Sequence, residues 1–325
     1  MEQSFLLSES QRKFRIPVCR QRKKIWLISG IVSLISLLGL LVSWVNPQIN
    51  SPLKPGLDFT GGTQLQLERQ CNQNCQELSI DKISEHITSL TLPSSNARNS
   101  SVLSQPKVQL LDGGQSVIIK LPFLTASQSK FIINEINAIA GPFKLDGQSI
   151  EAIGPSLGKQ LLYSSFVSLC AAFIGIAVYI SFRYDRRFAF LALFAVAHDV
   201  IIICGCFAWL GVVYGVEVNS LFAVALLTIA GYSVNDTVVV FDRIRERTRE
   251  DSSLSLNDQI DKAVSSTLRR TLYTSGTTLL PLLSLMLFGG ATLFWFSLAL
   301  AVGVIVGSWS SIALAPSLLS LSKSK

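Results

Sequence analysis

Six stretches of the 325-residue chain are almost continuously apolar, each near the roughly 20 residues that a helix rising about 1.5 Å per residue needs to cross hydrocarbon. They run approximately from Ile25 to Val45, Leu161 to Phe182, Phe188 to Leu210, Val218 to Phe241, Thr271 to Phe288 and Leu293 to Leu314. The pattern predicts an α-helical polytopic membrane protein with six transmembrane helices. The first stretch follows basic residues, as a signal sequence does, but it is too long for one. No small-x-small cleavage site follows it, so it is expected to remain as an anchor.

Between the first and second stretches, Asn46 to Gln160 changes character and reads as a small α+β unit. Period-two alternation predicts strands at Thr63–Glu68, Lys107–Leu111, Ser116–Leu121 and Lys144–Ala152. Helices are expected near Ile80–Leu90 and Ser127–Ile139, and Asp112, Gly113 and Gly114 mark a hairpin between the middle strands. The order βαββαβ matches a ferredoxin-like split unit, a fold that says little about function by itself.

Lys and Arg placement orients the helices. Arg12, Lys13, Arg15, Arg20, Arg22, Lys23 and Lys24 precede the first, and Arg183, Arg186 and Arg187 separate the second from the third. Asp242 to Arg270 is basic, and Lys323 and Lys325 close the chain, whereas Gly211 to Glu217 and Gly289 to Thr292 carry neither Lys nor Arg. The expected plan is a cytoplasmic basic tail 1–24, a first helix 25–45 and an extracytoplasmic α+β domain 46–160. Five helices follow over 161–320 with a cytoplasmic loop 242–270, and residues 321–325 form a cytoplasmic tail. Both termini are then inside, in the inner (plasma) membrane or a thylakoid-type internal membrane.

Composition agrees: 49% of residues are hydrophobic and 15% charged, wrong for an ordinary soluble domain. The net charge of +7 is a topology signal, because the basic residues flank apolar runs and do not line one polar face, so nucleic acid is not an expected partner. Cys170, Cys204 and Cys206 lie in apolar runs and Cys19 in the basic tail, which argues against a disulfide framework. Cys71 and Cys75 are either free thiols or a tight local disulfide.

Ionisable groups inside hydrocarbon cost about 2.5 to 3.5 kcal/mol each even on lenient scales, so each calls for an explanation. His198 and Asp199 fall about 15 Å into the third helix, near mid-membrane, and Asn235 and Asp236 lie in the fourth, Asp236 about 9 Å from its charged end. Arg270 opens the fifth. If that helix begins near Asp261, Arg270 sits about 12 Å along it, at a depth close to that of Asp236, and an ion pair between them is geometrically accessible. The plainer alternatives are a snorkelling Arg270 and an Asp236 that hydrogen-bonds between helices.

The segment Gly56, Leu57, Asp58, Phe59, Thr60, Gly61, Gly62 reads as a loop in which glycine permits a tight turn. Ser275, Gly276, Thr277 and Thr278, with Gly303 and Gly307, are expected to serve close helix packing, and Pro281 to kink the fifth helix. DRIRERTRE, from Asp242 to Glu250, suits a salt-bridged, solvated helix face. No Walker loop, Rossmann glycine pattern, zinc signature or Ser-His-Asp order occurs, so no cofactor, metal or enzymatic activity is expected.

GYSVNDTVVVFDRIRER at Gly231–Arg247, which contains Asp242 and Arg243, closely resembles the fourth-helix signature of the SecF family. RRTLYTSGTT at Arg269–Thr278 resembles the fifth, and GLDFTGG at Gly56–Gly62 the segment before the first extracytoplasmic domain. AHDV at Ala197–Val200 fits the same family, and the order of elements extends the resemblance over nearly the whole chain. Arg247 departs from it, standing where Asn is usual. The resemblance implies an RND-superfamily half-transporter rather than an enzyme. Its implied partners are SecD, the SecYEG translocon (with YajC or YidC as further candidates), the translocating preprotein and membrane lipid. It further implies that a proton or sodium motive force assists export, with Asp236 as coupling carboxylate and Arg270 as its cationic partner. Two other readings are an RND-type exporter of lipids or small molecules, which would normally carry both six-helix halves in one chain, and a non-transporting assembly factor, in which Asp236→Asn would be silent.

Overall fold

The computed structural model describes residues 17–70, 78–92, 106–111, 114–250 and 254–321. The expectations for Cys71 and Cys75, and for Asp112 and Gly113 at the hairpin, lie outside the described residues. The chain divides into two compact units, Pro55–Ser164 and the remainder.

In the smaller unit, β1 (Gly62–Arg69), β2 (Lys107–Leu111), β3 (Ser116–Leu121) and β4 (Phe143–Ile153) form one antiparallel sheet in the order β2-β3-β1-β4. Central β1 pairs Leu65 with Ile119 on one side and Ile150 on the other. Alternation buries Thr63, Leu65 and Leu67 of β1 with Val117, Ile119 and Leu121 of β3 on one face. Helices α3 (Ile80–Ser89) and α4 (Ala126–Ala140) supply Ile83, Ile87, Ile132 and Ile136 to the same core. A capping box between Thr125 and Gln128 starts α4.

GLDFTGG is not a plain loop. Leu57–Thr60 forms one helical turn, α2, and Gly61 and Gly62 follow with φ of 69° and 131°. A Cβ on Gly61 would lie 3.0 Å from Pro155 Cα, and one on Gly62 2.7 Å from the Leu121 carbonyl oxygen. Both positions therefore need glycine twice over, for the backbone angle and for the space.

The larger unit holds α1 (Arg22–Val45), α6 (Arg186–Tyr214), α7 (Ser220–Glu250), α8 (Leu256–Phe288), α9 (Gly290–Trp309), a π-helical turn (Ser310–Leu314) and α10 (Ala315–Leu319), and α5 (Pro155–Arg183) begins in the smaller unit and ends here. Six helices are long and apolar enough to cross a membrane. Several outrun their apolar stretches: α7 carries DRIRERTRE as two further turns, held by Arg243–Glu246, Asp242–Arg245 and Arg247–Glu250 pairs at i, i+3. α8 starts at Leu256, five residues before the expected Asp261, because Ser255 accepts a capping hydrogen bond from the Asp258 amide. Pro281 lies within α8.

Small residues set the packing, as expected where lipid offers helices no hydrophobic reason to associate. α1 turns Ser29, Ser36, Gly39 and Ser43 inward and leaves Leu27, Leu34, Leu38 and Leu41 exposed. It lies along α6 so closely that a Cβ on Gly205 would sit 2.3 Å from Ser36 Cα. Trp209 Nε1 donates to the Ile35 carbonyl at 2.9 Å, Trp309 Nε1 to Ser29 Oγ at 3.1 Å and Trp26 Nε1 to Ser317 Oγ at 3.0 Å. Ahead of α1, the Cys19 amide donates to Asp261 at 2.9 Å, and burial together with that carboxylate pushes the thiol up to about 12, so it stays protonated. In contrast, the most apolar 18 residues of α5 bury none of their side chains within the chain, and Ile180 is the residue of its apolar run that is fully buried.

The packing expected of the SGTT segment holds for Ser275 and not for its neighbours. Ser275 is buried and bonded to Ser308 at 2.6 Å, whereas a Cβ on Gly276 would meet nothing within 4 Å, and the hydroxyls of Thr277 and Thr278 bond carbonyls of their own helix. Gly276 and Thr277 are exposed, and Thr278 is half-buried. Gly303 does pack closely, against Ile229, and Gly307 against Ser233.

Candidate functional site in the buried polar cluster

Asp199, on α6, is 1% exposed and is surrounded by donors from three elements. Ser233 Oγ of α7 donates to its Oδ2 at 2.6 Å, Ser310 Oγ of the π turn donates to the same oxygen at 2.7 Å, and His198 Nδ1 lies 2.9 Å from its Oδ1. The cluster continues through Ser311 Oγ, which reaches the Ser233 carbonyl at 3.3 Å and Thr237 Oγ1 at 2.8 Å. Such satisfaction is what a carboxylate in hydrocarbon requires. His198 Nε2, also buried, has no hydrogen-bond partner.

The π turn makes this possible. Pro316 has no N–H for the carbonyl of Ile312 four residues back, and the helix widens there by one residue. Consecutive hydroxyls at 310 and 311 then reach two different groups, Asp199 and the Ser233 backbone.

Asp236 lies one turn along α7 from Ser233 and is also buried, 5% exposed, yet its Oδ2 has no hydrogen-bond partner. Arg270 on α8 acts on it through space, but the two form no ion pair within 4.0 Å, and the guanidinium of Arg270 is exposed in this chain. The accessible pair is thus open here. Arg270 lies about 21 Å from the start of α8, farther along than a start at Asp261 implies. Asn235 does not join the cluster: next to Asp236 on a helix, it points about 100° away and is exposed. Gly231 is exposed as well. Asp242 accepts two hydrogen bonds from Arg183 Nη2, at 3.2 and 3.1 Å, and Arg243 Nε donates to Ser266 Oγ at 3.2 Å, so this part of the signature ties α7 to α5 and α8.

Residues 133–325 match the C-terminal region of the protein export membrane proteins SecD/SecF, and residues 49–73 match the SecD/SecF GG motif. This chain belongs to the SecD/SecF family. Protein translocase subunit SecF of Prochlorococcus marinus is 55% identical over 320 residues, covering 98% of this chain and 99% of the relative. The SecF subunit of a Synechocystis species is 36% identical over 307 residues, covering 94% and 93%. The crystal structure of SecDF, a translocon-associated membrane protein from Thermus thermophilus, has a TM-score of 0.75 and 26% identity across 94% of this chain. This SecD/SecF chain covers only 38% of that SecDF chain. Membership and six apolar helices together make it a multi-pass membrane protein.

Within the SecD/SecF frame, the GG-motif region spans the helical turn and the glycine pair where β1 begins, close to the first residue of α5. Sequence reasoning singled out Asp199, His198 and Asp236 but missed Ser233, Thr237, Ser310 and Ser311. The available signal was small hydroxyl residues in apolar helices, two of them, Ser310 and Ser311, just before Pro316 and the other two in the same helix as Asp236.

Proposed function

We propose that this chain is the SecF-type half of a protein-export motor that, with SecD, uses a proton or sodium gradient to help draw preproteins through a SecYEG-type translocon. The observation that carries this reading is Asp236: a buried intramembrane carboxylate with one oxygen unpartnered, and a cation, Arg270, near it but unpaired. A group so placed binds and releases a cation in a cycle, and a filled site cancels the attraction to Arg270. Moving one charge through 100 mV is worth about 2.3 kcal/mol, enough to bias two arrangements of packed helices. Asp199, with His198 beside it, holds the neighbouring helices together and is the second carboxylate on the route.

The smaller unit is the extracytoplasmic domain, and its strand order β2-β3-β1-β4 with helices after β1 and β3 supports a ferredoxin-like assignment. Both termini and the charged end of α7 lie in the cytoplasm, in a plasma or thylakoid-type membrane. A reporter fused after Gln105 is expected outside, and one after Ser255 inside. A cytoplasmic signal at Gln105 would sink the architecture.

Partnership with SecD is supported by the 38% share of the solved SecDF chain, by the most apolar 18 residues of α5, none of them buried within this chain, and by the exposed amide of Asn235, which lipid does not satisfy. Gentle extraction is expected to bring this chain out with a SecD-type subunit and a translocon. Recovery as a monodisperse, functional monomer would remove the half-motor reading.

A further inference from the structure

A cleft of about 920 Å³ opens between the end of α5, the charged turns of α7 and the first half of α8. Five arginines and three carboxylates line it, and all three carboxylates are committed. Asp242 holds Arg183 through both oxygens, Glu246 takes Arg243, and Glu250 takes Arg247 at 3.2 Å. Two lining guanidiniums, Arg249 and Arg270, have no carboxylate partner among the described residues, and both are exposed. The cleft therefore carries uncompensated positive charge in the form best suited to a planar, multi-oxygen anion.

Its level is fixed by three helices at once. Arg183 ends the apolar run of α5, Asp242 directly follows the apolar run of α7 at Phe241, and Arg270 directly precedes Thr271, where the apolar run of α8 begins. A cleft where three spanning helices all turn from apolar to charged lies in the headgroup layer, and its volume accommodates a headgroup with its glycerol.

We propose that this cleft binds the headgroup phosphate of an anionic phospholipid, with Arg249 and Arg270 as phosphate ligands and the Arg183–Asp242 and Arg243–Glu246 pairs as its rigid walls. Basic recesses between membrane helices are suited to such headgroups. Arg270 is shared with the coupling reading, so a bound phosphate competes with Asp236 for the same cation. Lipid binding itself needs no gradient.

The test titrates the full chain, purified with any subunit that accompanies it, with phosphatidylglycerol, phosphatidylcholine and inorganic phosphate, and counts bound molecules by native mass spectrometry. Phosphatidylglycerol is expected to bind at least about ten-fold more tightly than phosphatidylcholine. Arg249→Gln should weaken it about five-fold, and Arg249→Gln with Arg270→Gln about 25-fold. Arg269→Gln should leave it unchanged, because Arg269 lies outside the cleft and stacks over Tyr273, 5.4 Å from the ring centroid. An equal loss in Arg269→Gln would mean diffuse attraction to a basic surface and overturn the site, as would the absence of preference over phosphatidylcholine. Inorganic phosphate binding as tightly as phosphatidylglycerol would assign the cleft to a free anion and overturn the lipid. Failure of the lipid site would leave the coupling reading of Asp236 standing, because that reading is tested by gradient-driven export and not by lipid binding.

Discussion

Replacing Asp236 by Asn is expected to leave a folded, SecD-associated subunit whose export no longer responds to an imposed ion gradient. Its Oδ2 accepts no hydrogen bond in the native chain, so an amide of the same size breaks none there, and no charge is left for a proton or sodium ion to neutralise. If one charge crossing 100 mV supplies about 2.3 kcal/mol, the gradient-dependent part of the rate should fall by up to about 50-fold. Arg270→Ala should be defective too, by removing the cation that faces the carboxylate. The measurement is precursor export into vesicles with and without the gradient, at equal subunit abundance. Undiminished stimulation in Asp236→Asn would reduce Asp236 to a structural residue.

Gly205→Leu should cost about 3 kcal/mol or more in stability. The first added carbon would lie 2.2 Å from Ser36 Cβ and 2.6 Å from the Ser36 carbonyl oxygen, and backbone cannot move aside as a flexible side chain does. α1 must lift from α6, which also takes the Ile35 carbonyl away from Trp209. Gly30→Leu is the control, on α1 itself but with nothing within 4 Å of its Cβ, and should stay within about 0.5 kcal/mol. Thermal unfolding of both variants in detergent decides the matter: equal melting temperatures would mean that this contact does not hold α1.

What a sequence shows well is what depends on near neighbours along the chain. Apolar length located the membrane helices, and alternation placed β2 and β3 at Lys107–Leu111 and Ser116–Leu121, the bounds observed. The turn at Leu57–Thr60 was missed because the reason for its glycines is distant in sequence: Leu121 and Pro155 crowd them only after the sheet has formed. The partners of Asp199 were missed for a related reason. Ser233 and Ser310 are 34 and 111 residues from it, and a serine in an apolar helix looks the same whether it bonds a distant carboxylate or its own turn. Adjacent polar residues pose a different problem. Asn235 and Asp236 both stood out as intramembrane groups, but only the packing of α7 decides that one faces inward and its neighbour outward.

The π turn at Ser310–Leu314 also sets a phase. Trp309 and Ser317 both bond α1, through Ser29 and Trp26, yet eight residues of uninterrupted α-helix advance by about 800°, leaving the second contact about 80° out of step with the first. Absorbing one residue into the wider turn cuts the advance to about 700°, within about 20° of two full rotations. The irregularity that delivers Ser310 to Asp199 is therefore also what brings the last helix back into alignment with the first, and the polar cluster and the grip on α1 are set by a single extra residue.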